Sequence, residues 1–263
     1  MILSNKGSGK MNKKGILKDL IRMTRKIGNP GYDYVILAEG NTSARIDEDT
    51  FFVKASGLYM EDIDEKGFVE VSLNRMLSIL DQDSVTDEEI KQCYIEATAS
   101  YSGVLPSIES ILHAICISRG DAQFVCHTHP TVVNAILCAK GAKKAFSGMI
   151  FPDEITVCGP AVLFIAWAQP GLDLAKKVLV QIERFKEEYA MPPRVIVMQS
   201  HGLLALGQNS VQVENMTHMF VKACRIRGGT FSMGGPQFLD EKDVKRIFHR
   251  PDEKYREELI FRD

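Results

Sequence analysis

The chain has 263 residues, 45% of them hydrophobic and 25% charged, with a formal net charge of -2. That balance belongs to an ordinary globular protein with enough chain to bury a full core, and it gives no electrostatic reason to pair with nucleic acid or an anionic membrane. No apolar run reaches the length that crosses a bilayer. The 6 cysteines form no Cys-x-x-Cys pair, which points to reduced thiols and a cytoplasmic protein.

Residues 1–14 are rich in Gly, Ser, Asn and Lys and lack the apolar core of a signal peptide, so they read as a mobile start ahead of one domain over 15–263. Ile16, Leu17, Leu20, Ile21 and Ile27 recur at helical spacing and predict an amphipathic helix that stops near Gly28-Asn29-Pro30-Gly31. Ala38-Glu39-Gly40-Asn41-Thr42-Ser43 reads as a polar loop. Phe51-Phe52-Val53 predicts a short strand running into the small-residue turn Lys54-Ala55-Ser56-Gly57, and Val69-Glu70-Val71 a second strand leading to a helix over 72–80. A helix over 87–100 has an acidic first turn that suits its dipole. Ser107, after Pro106, is placed to cap a helix reaching 118.

Next comes Val125-Cys126-His127-Thr128-His129-Pro130, the most informative run of the chain. Side chains at i and i+2 of an extended segment point the same way, so His127 and His129 offer two neutral nitrogens to one point, as a divalent metal requires. Cys126 lies between them on the opposite face and reads as core. A helix follows over 131–140, then strands over 155–158 and 162–165 on either side of Gly159-Pro160, then a long amphipathic helix over 172–189. The apolar strand Val195-Ile196-Val197-Met198 leads into Gln199-Ser200-His201-Gly202, and another apolar run covers 203–207. A third histidine at a strand end can complete a three-histidine site with an open position; spacing alone leaves open whether the fold brings His201 to the pair. Helices over 211–227, 240–248 and 252–259 end the chain. His218 and His249, in helical segments of mixed polarity, read as surface or capping residues. Several strands are adjacent in sequence and no repeat or linker divides the chain, so the expected fold is a single α/β domain with a largely antiparallel central sheet flanked by helices.

Five motifs stand in order: Gly40-Asn41-Thr42-Ser43, Ala55-Ser56-Gly57, Pro106-Ser107-Ile108-Glu109, His127-Thr128-His129-Pro130 and Ser200-His201-Gly202. In type and order, over about residues 16–229, this series resembles the class II aldolase/adducin family, which includes sugar-phosphate aldolases and epimerases. The resemblance implies that His127, His129 and His201 bind zinc or another divalent metal and that Glu109 is the catalytic acid/base. It implies that Gly40, Asn41, Ser56, Gly57 and Ser107 hold a substrate phosphate. It further implies a lyase that breaks or forms a carbon–carbon bond in a hydroxyketose, expected to be phosphorylated, through a metal-stabilised enediolate. The same site would suit a 3-oxo sugar acid phosphate decarboxylase or a sugar-phosphate epimerase, and an adducin-like scaffold without turnover is the non-catalytic alternative. Family enzymes are typically homotetramers with the site at a subunit interface. Physical chemistry supports these roles: a metal on three imidazoles polarises a chelated hydroxyketone, a nearby carboxylate moves protons, and small residues in turns let backbone N–H groups approach an anion.

Two positions depart from the family pattern. Ile108 stands where phosphate-handling members often carry a hydroxyl, and Trp167 where several aldolases use a tyrosine as proton donor. An indole N–H donates a hydrogen bond but does not usefully ionise. Glu109 and His113 share a helix face four residues apart; they are a rival metal pair, with His113 favoured as a structural partner on that helix.

Overall fold

The computed structural model describes residues 12–101 and 103–262. Helix α1 (Lys13–Ile27) begins where the Asn12 side chain accepts the Gly15 N–H. Asn12, Lys13 and Lys14, counted above with the mobile start, therefore open the first helix; the rest of that segment, 1–11, lies outside the described residues.

Among the described residues seven strands form one sheet: β1 (Asn41–Arg45), β2 (Thr50–Lys54), β3 (Phe68–Ser72), β4 (Phe124–Thr128), β5 (Leu163–Ile165), β6 (Val195–Met198) and β7 (Gly202–Gly207). Their order is β3-β2-β1-β4-β7-β6-β5. All neighbours are antiparallel except β5 and β6, so the expected single α/β domain with a mainly antiparallel sheet is the fold observed.

The remaining helices are α2 (Leu73–Leu77), α3 (Asp87–Ala97), α4 (Ser110–Ser118), α5 (Thr131–Leu137), α6 (Ala142–Ala145), α7 (Pro152–Cys158), α8 (Leu172–Tyr189), α9 (Ser210–Thr230), α10 (Glu241–His249) and α11 (Pro251–Ile260). Alternation along the strands divides the core. Phe124 and Cys126 of β4 pack with Leu20 of α1 and Phe220 of α9, whereas Val125 packs with Ile115 of α4 and Ile182 of α8. Each such buried branched or aromatic side chain contributes about 1.5–3 kcal/mol. His127 pairs across the sheet with Asn41 on one side and Leu204 on the other. A slip of one residue would turn His127 to the α1/α9 layer and Cys126 to the α4 layer. The apolar alternation thus fixes which face carries the histidines.

Three expectations are corrected. Residues 41–45 form β1, not a loop: the strand is polar because its side chains are used inside the protein, Thr42 bonding Thr24 at 2.6 Å between hydroxyls. Residues 155–158 belong to helix α7, whose Pro152 at the first turn and acidic Asp153 and Glu154 are helix-start signals. Ser107 is not a helix cap. Its N–H is held by the Lys54 carbonyl at 3.0 Å, so it stays in a turn, and α4 begins at Ser110 with Glu109 in the cap position.

Candidate metal centre

Antiparallel pairing of β4 with β7 sets the end of β4 beside the β6–β7 hairpin turn, which carries His201. Ser200 in that turn has a φ of 54°, the left-handed conformation that reverses the chain within three residues. Gly202 follows, where an added Cβ would stand 2.5 Å from His129 Cδ2 and 3.0 Å from His127 Cε1. Only glycine lets the turn close over the two rings. Gly40, at φ 68°, similarly admits the His127 carbonyl, 2.9 Å from where a Cβ would sit.

The three rings face one another, with centroids 4.7 Å apart for His127 and His129, 5.0 Å for His127 and His201, and 5.5 Å for His129 and His201. Glu109 completes the cluster: Oε1 is 2.6 Å from His201 Nε2 and Oε2 is 3.3 Å from His127 Nε2. One ligand atom from each of Glu109, His127, His129 and His201 lies within 4.8 Å of all the others. The donor set fits a divalent ion. His127 Nδ1 donates to the Leu203 carbonyl at 2.9 Å, and since a carbonyl only accepts, the neutral ring keeps its Nε2 lone pair for a metal. That lone pair points at His129 Nε2, 2.9 Å away. Two neutral nitrogens so placed share at most one proton, and a cation satisfies both.

Charge is concentrated here. Burial opposes ionisation of Glu109, but His127 and His201 outweigh it and hold the carboxyl well below its ordinary range. Burial likewise opposes charge on His127, and the Glu109 carboxylate raises it. Burial and the neighbouring His127 push His129 down to about 3.

Glu109 is braced from behind by a chain of hydrogen bonds. Asn41 Nδ2 donates to Glu109 Oε2 at 2.8 Å, His113 Nε2 donates to Asn41 Oδ1, and Ser43 Oγ donates to His113 Nδ1 at 2.7 Å. His113 is fully buried, and burial lowers it to about 3, so it serves as a neutral relay and lies outside the ligand cluster. Asn41 therefore turns its amide nitrogen to Glu109. Ser107 is also buried; its Oγ accepts the Glu109 N–H at 3.3 Å. Among the expected phosphate-binding residues, Ser56 lines the cavity beside Glu109, His129 and His201, whereas Gly40, Asn41, Gly57 and Ser107 do not.

Sequence reasoning missed Lys54. It ends β2 almost fully buried, its Nζ makes one long bond to the Ala55 carbonyl at 3.4 Å, and burial lowers it to about 8 against the pull of Glu109. A lysine closing an apolar strand just before Ala55-Ser56-Gly57 was its signal. His218 is neither a cap nor a free surface residue: Tyr34 bonds its Nδ1 at 2.8 Å and Tyr32 packs edge-on against it. Cys126 is core, as expected.

No helix among the described residues is long and apolar enough to cross a membrane. Residues 18–227 match the Class II Aldolase and Adducin N-terminal domain. Among solved structures, the N-terminal class II aldolase domain of a conserved Thermoplasma acidophilum protein is 24% identical, with a TM-score of 0.65 over 86% of this chain and 99% of that one. An L-fuculose 1-phosphate aldolase is 19% identical, with a TM-score of 0.66 over 95% and 100%. The Escherichia coli protein YgbL, described as an aldolase, epimerase or decarboxylase, is 15% identical, with a TM-score of 0.64 over 88% and 97%. At these identities the likeness is one of fold. A search of curated proteins found no match. The domain match spans most of the chain, and the protein belongs to the class II aldolase and adducin family.

Proposed function

We propose that this protein is a metal-dependent lyase that breaks or forms a carbon–carbon bond next to a hydroxy-carbonyl group, with His127, His129 and His201 as metal ligands and Glu109 as the proton carrier. The observation that carries this reading is the convergence of three imidazoles and one carboxylate at the same end of the sheet. A scaffold has no need of that arrangement, nor of the relay that braces Glu109. Zinc suits three imidazole ligands, and a bound divalent ion supplies Lewis-acid polarisation of a carbonyl and its neighbouring hydroxyl.

The chain's own groups do the rest. Glu109 stays ionised and takes the proton of the substrate hydroxyl as the bond to the adjacent carbon breaks. It then returns a proton to the carbon left behind, so the exchange is redox-neutral. Asn41 and His113 keep the carboxylate oriented through both transfers. Trp167 lines the cavity and offers one N–H without a usable proton. Decarboxylation on the same site is the second reading, favoured by an indole where aldol cleavage would use an acid. A homotetramer sharing its sites between subunits is part of the proposal.

The test is metal content followed by a substrate panel. About one divalent ion per chain should copurify, and ketoses and 3-oxo acids, with and without phosphate, should be assayed for released ketone or aldehyde, carbon dioxide, or epimer. Failure to hold any divalent ion at neutral pH would leave the adducin-like scaffold.

A further inference from the structure

A cavity of about 720 Å³ opens from the metal centre, with Glu109, His129 and His201 at its inner end. Away from that end its walls are mainly apolar, including Ile90, Leu105, Ile111 and Leu174. Two large apolar side chains stand exposed in it, Ile108 at 76% and Trp167 at 52%. Neither is free to retract. The Tyr94 hydroxyl holds the Ile108 carbonyl at 2.7 Å. Trp167 is tied at both backbone ends, by Gln199 Oε1 at 3.2 Å and Lys177 Nζ at 3.0 Å. Fixed backbones present both side chains to whatever enters.

The same cavity is poorly built for a phosphate. Among the described residues no arginine lines it, and the lysine that does, Lys91, is 3.8 Å from the Glu88 carboxylate and shares the wall with Asp87. Lys54 is buried and faces the charge of Glu109. The Ser56 N–H is taken by the Leu105 carbonyl at 3.0 Å and the Ser107 N–H by Lys54 at 3.0 Å. A doubly charged group here would lose water for few donors, whereas an apolar group would cover the exposed isoleucine and indole.

We infer that the substrate carries, beyond its hydroxy-carbonyl head, an uncharged apolar group such as a phenyl ring or branched alkyl chain, and that Ile108 and Trp167 select it. This rests on the metal-centre reading of the previous section. Hydroxamates supply the test, because their chelating head is constant while the tail varies. The zinc-loaded protein should bind phenylacetohydroxamate at least about tenfold tighter than acetohydroxamate, and tighter than phosphonoacetohydroxamate. In the Ile108→Ser, Trp167→Ser double variant the phenyl advantage should disappear while zinc content, measured in parallel, stays at the parent value. Tighter binding of the phosphonate than of the phenyl compound would overturn the inference, and so would equal binding of all three. It would equally fail if the double variant lost self-association yet kept the phenyl preference, since the apolar wall would then be a contact between copies of the chain. A parent protein that holds no zinc would instead refute the metal-centre reading itself.

Discussion

Replacing His113 with leucine tests whether a buried neutral imidazole braces the catalytic carboxylate. In the native protein this ring accepts from Ser43 Oγ at 2.7 Å and donates to Asn41 Oδ1. The leucine variant strands both partners in the interior, at a cost of about 1–3 kcal/mol each; the apolar side chain returns part of this, leaving a net loss of about 2–4 kcal/mol at pH 7. The pH dependence is more discriminating. Burial lowers His113 from its ordinary 6.5 to about 3 in the folded state, so as pH falls the unfolded chain takes the proton first. Native stability is therefore complete above about 6.5 and is lost as pH falls from there towards 3, amounting to about 2 kcal/mol between pH 7 and pH 5. The variant lacks this loss. His129, also held neutral by burial, acts alike in both proteins and cancels from their difference. Urea unfolding of both in the presence of a chelator should show the stability gap closing by about 2 kcal/mol from pH 7 to pH 5. A gap of equal size at both pH values would mean that the ring titrates alike in the folded and unfolded chain, and the buried neutral relay to Asn41 and Glu109 would be wrong.

Removing one imidazole by His201→Ala should weaken zinc binding by orders of magnitude, read by competition with a chromophoric chelator; affinity equal to the parent would remove His201 from the ligand set. Glu109→Gln keeps the size and hydrogen bonding of the side chain and should lower turnover about a hundredfold or more with zinc retained; loss of zinc together with activity would make Glu109 a ligand. Arg227 is fully buried and donates to Glu154 Oε1 and the Ala145 carbonyl at 2.6 and 2.7 Å, so Arg227→Met should destabilise the fold by about 3–5 kcal/mol in denaturant unfolding, and adding Glu154→Met should recover much of it. Trp167→Tyr should gain aldol cleavage on some hydroxyketone if a proton donor is what the site lacks; unchanged rates on every substrate, with zinc and assembly intact, would reduce Trp167 to packing.

The sheet and its surrounding helices were legible because period-2 and period-3.6 patterns of apolar residues are strong over 16–27, 124–127, 172–189 and 195–206. The elements that escaped are those whose polarity is satisfied inside. Asn41, Thr42 and Ser43 look like a loop by composition, yet they form a central strand, because each side chain has a buried partner in another element. Helix α7 was hidden by its β-branched Ile155, Thr156 and Val157, which outweighed the helix-start signals of Pro152, Asp153 and Glu154. The histidine cluster was legible in residue type and spacing. Its closure depends on β4 and β7 being neighbours, which is a property of topology and not of local sequence.

Asn41 and Ser107 show why a metal site is easier to read from sequence than a phosphate site. Metal ligation is written in the side chain itself: a neutral imidazole at a strand end carries a lone pair that can be aimed at a metal. Phosphate binding by asparagine, serine and glycine depends on which donors are left over once the fold has taken its share. Here the fold takes most of them. An Asn41 amide N–H goes to Glu109, the Ser107 N–H to the Lys54 carbonyl, and the Ser56 N–H to the Leu105 carbonyl. Of these residues, Asn41 is turned to an anion of the chain, the Glu109 carboxylate. The Asn41 amide N–H held behind the carboxylate is not in front of it, where the cavity presents Ile108 and Trp167.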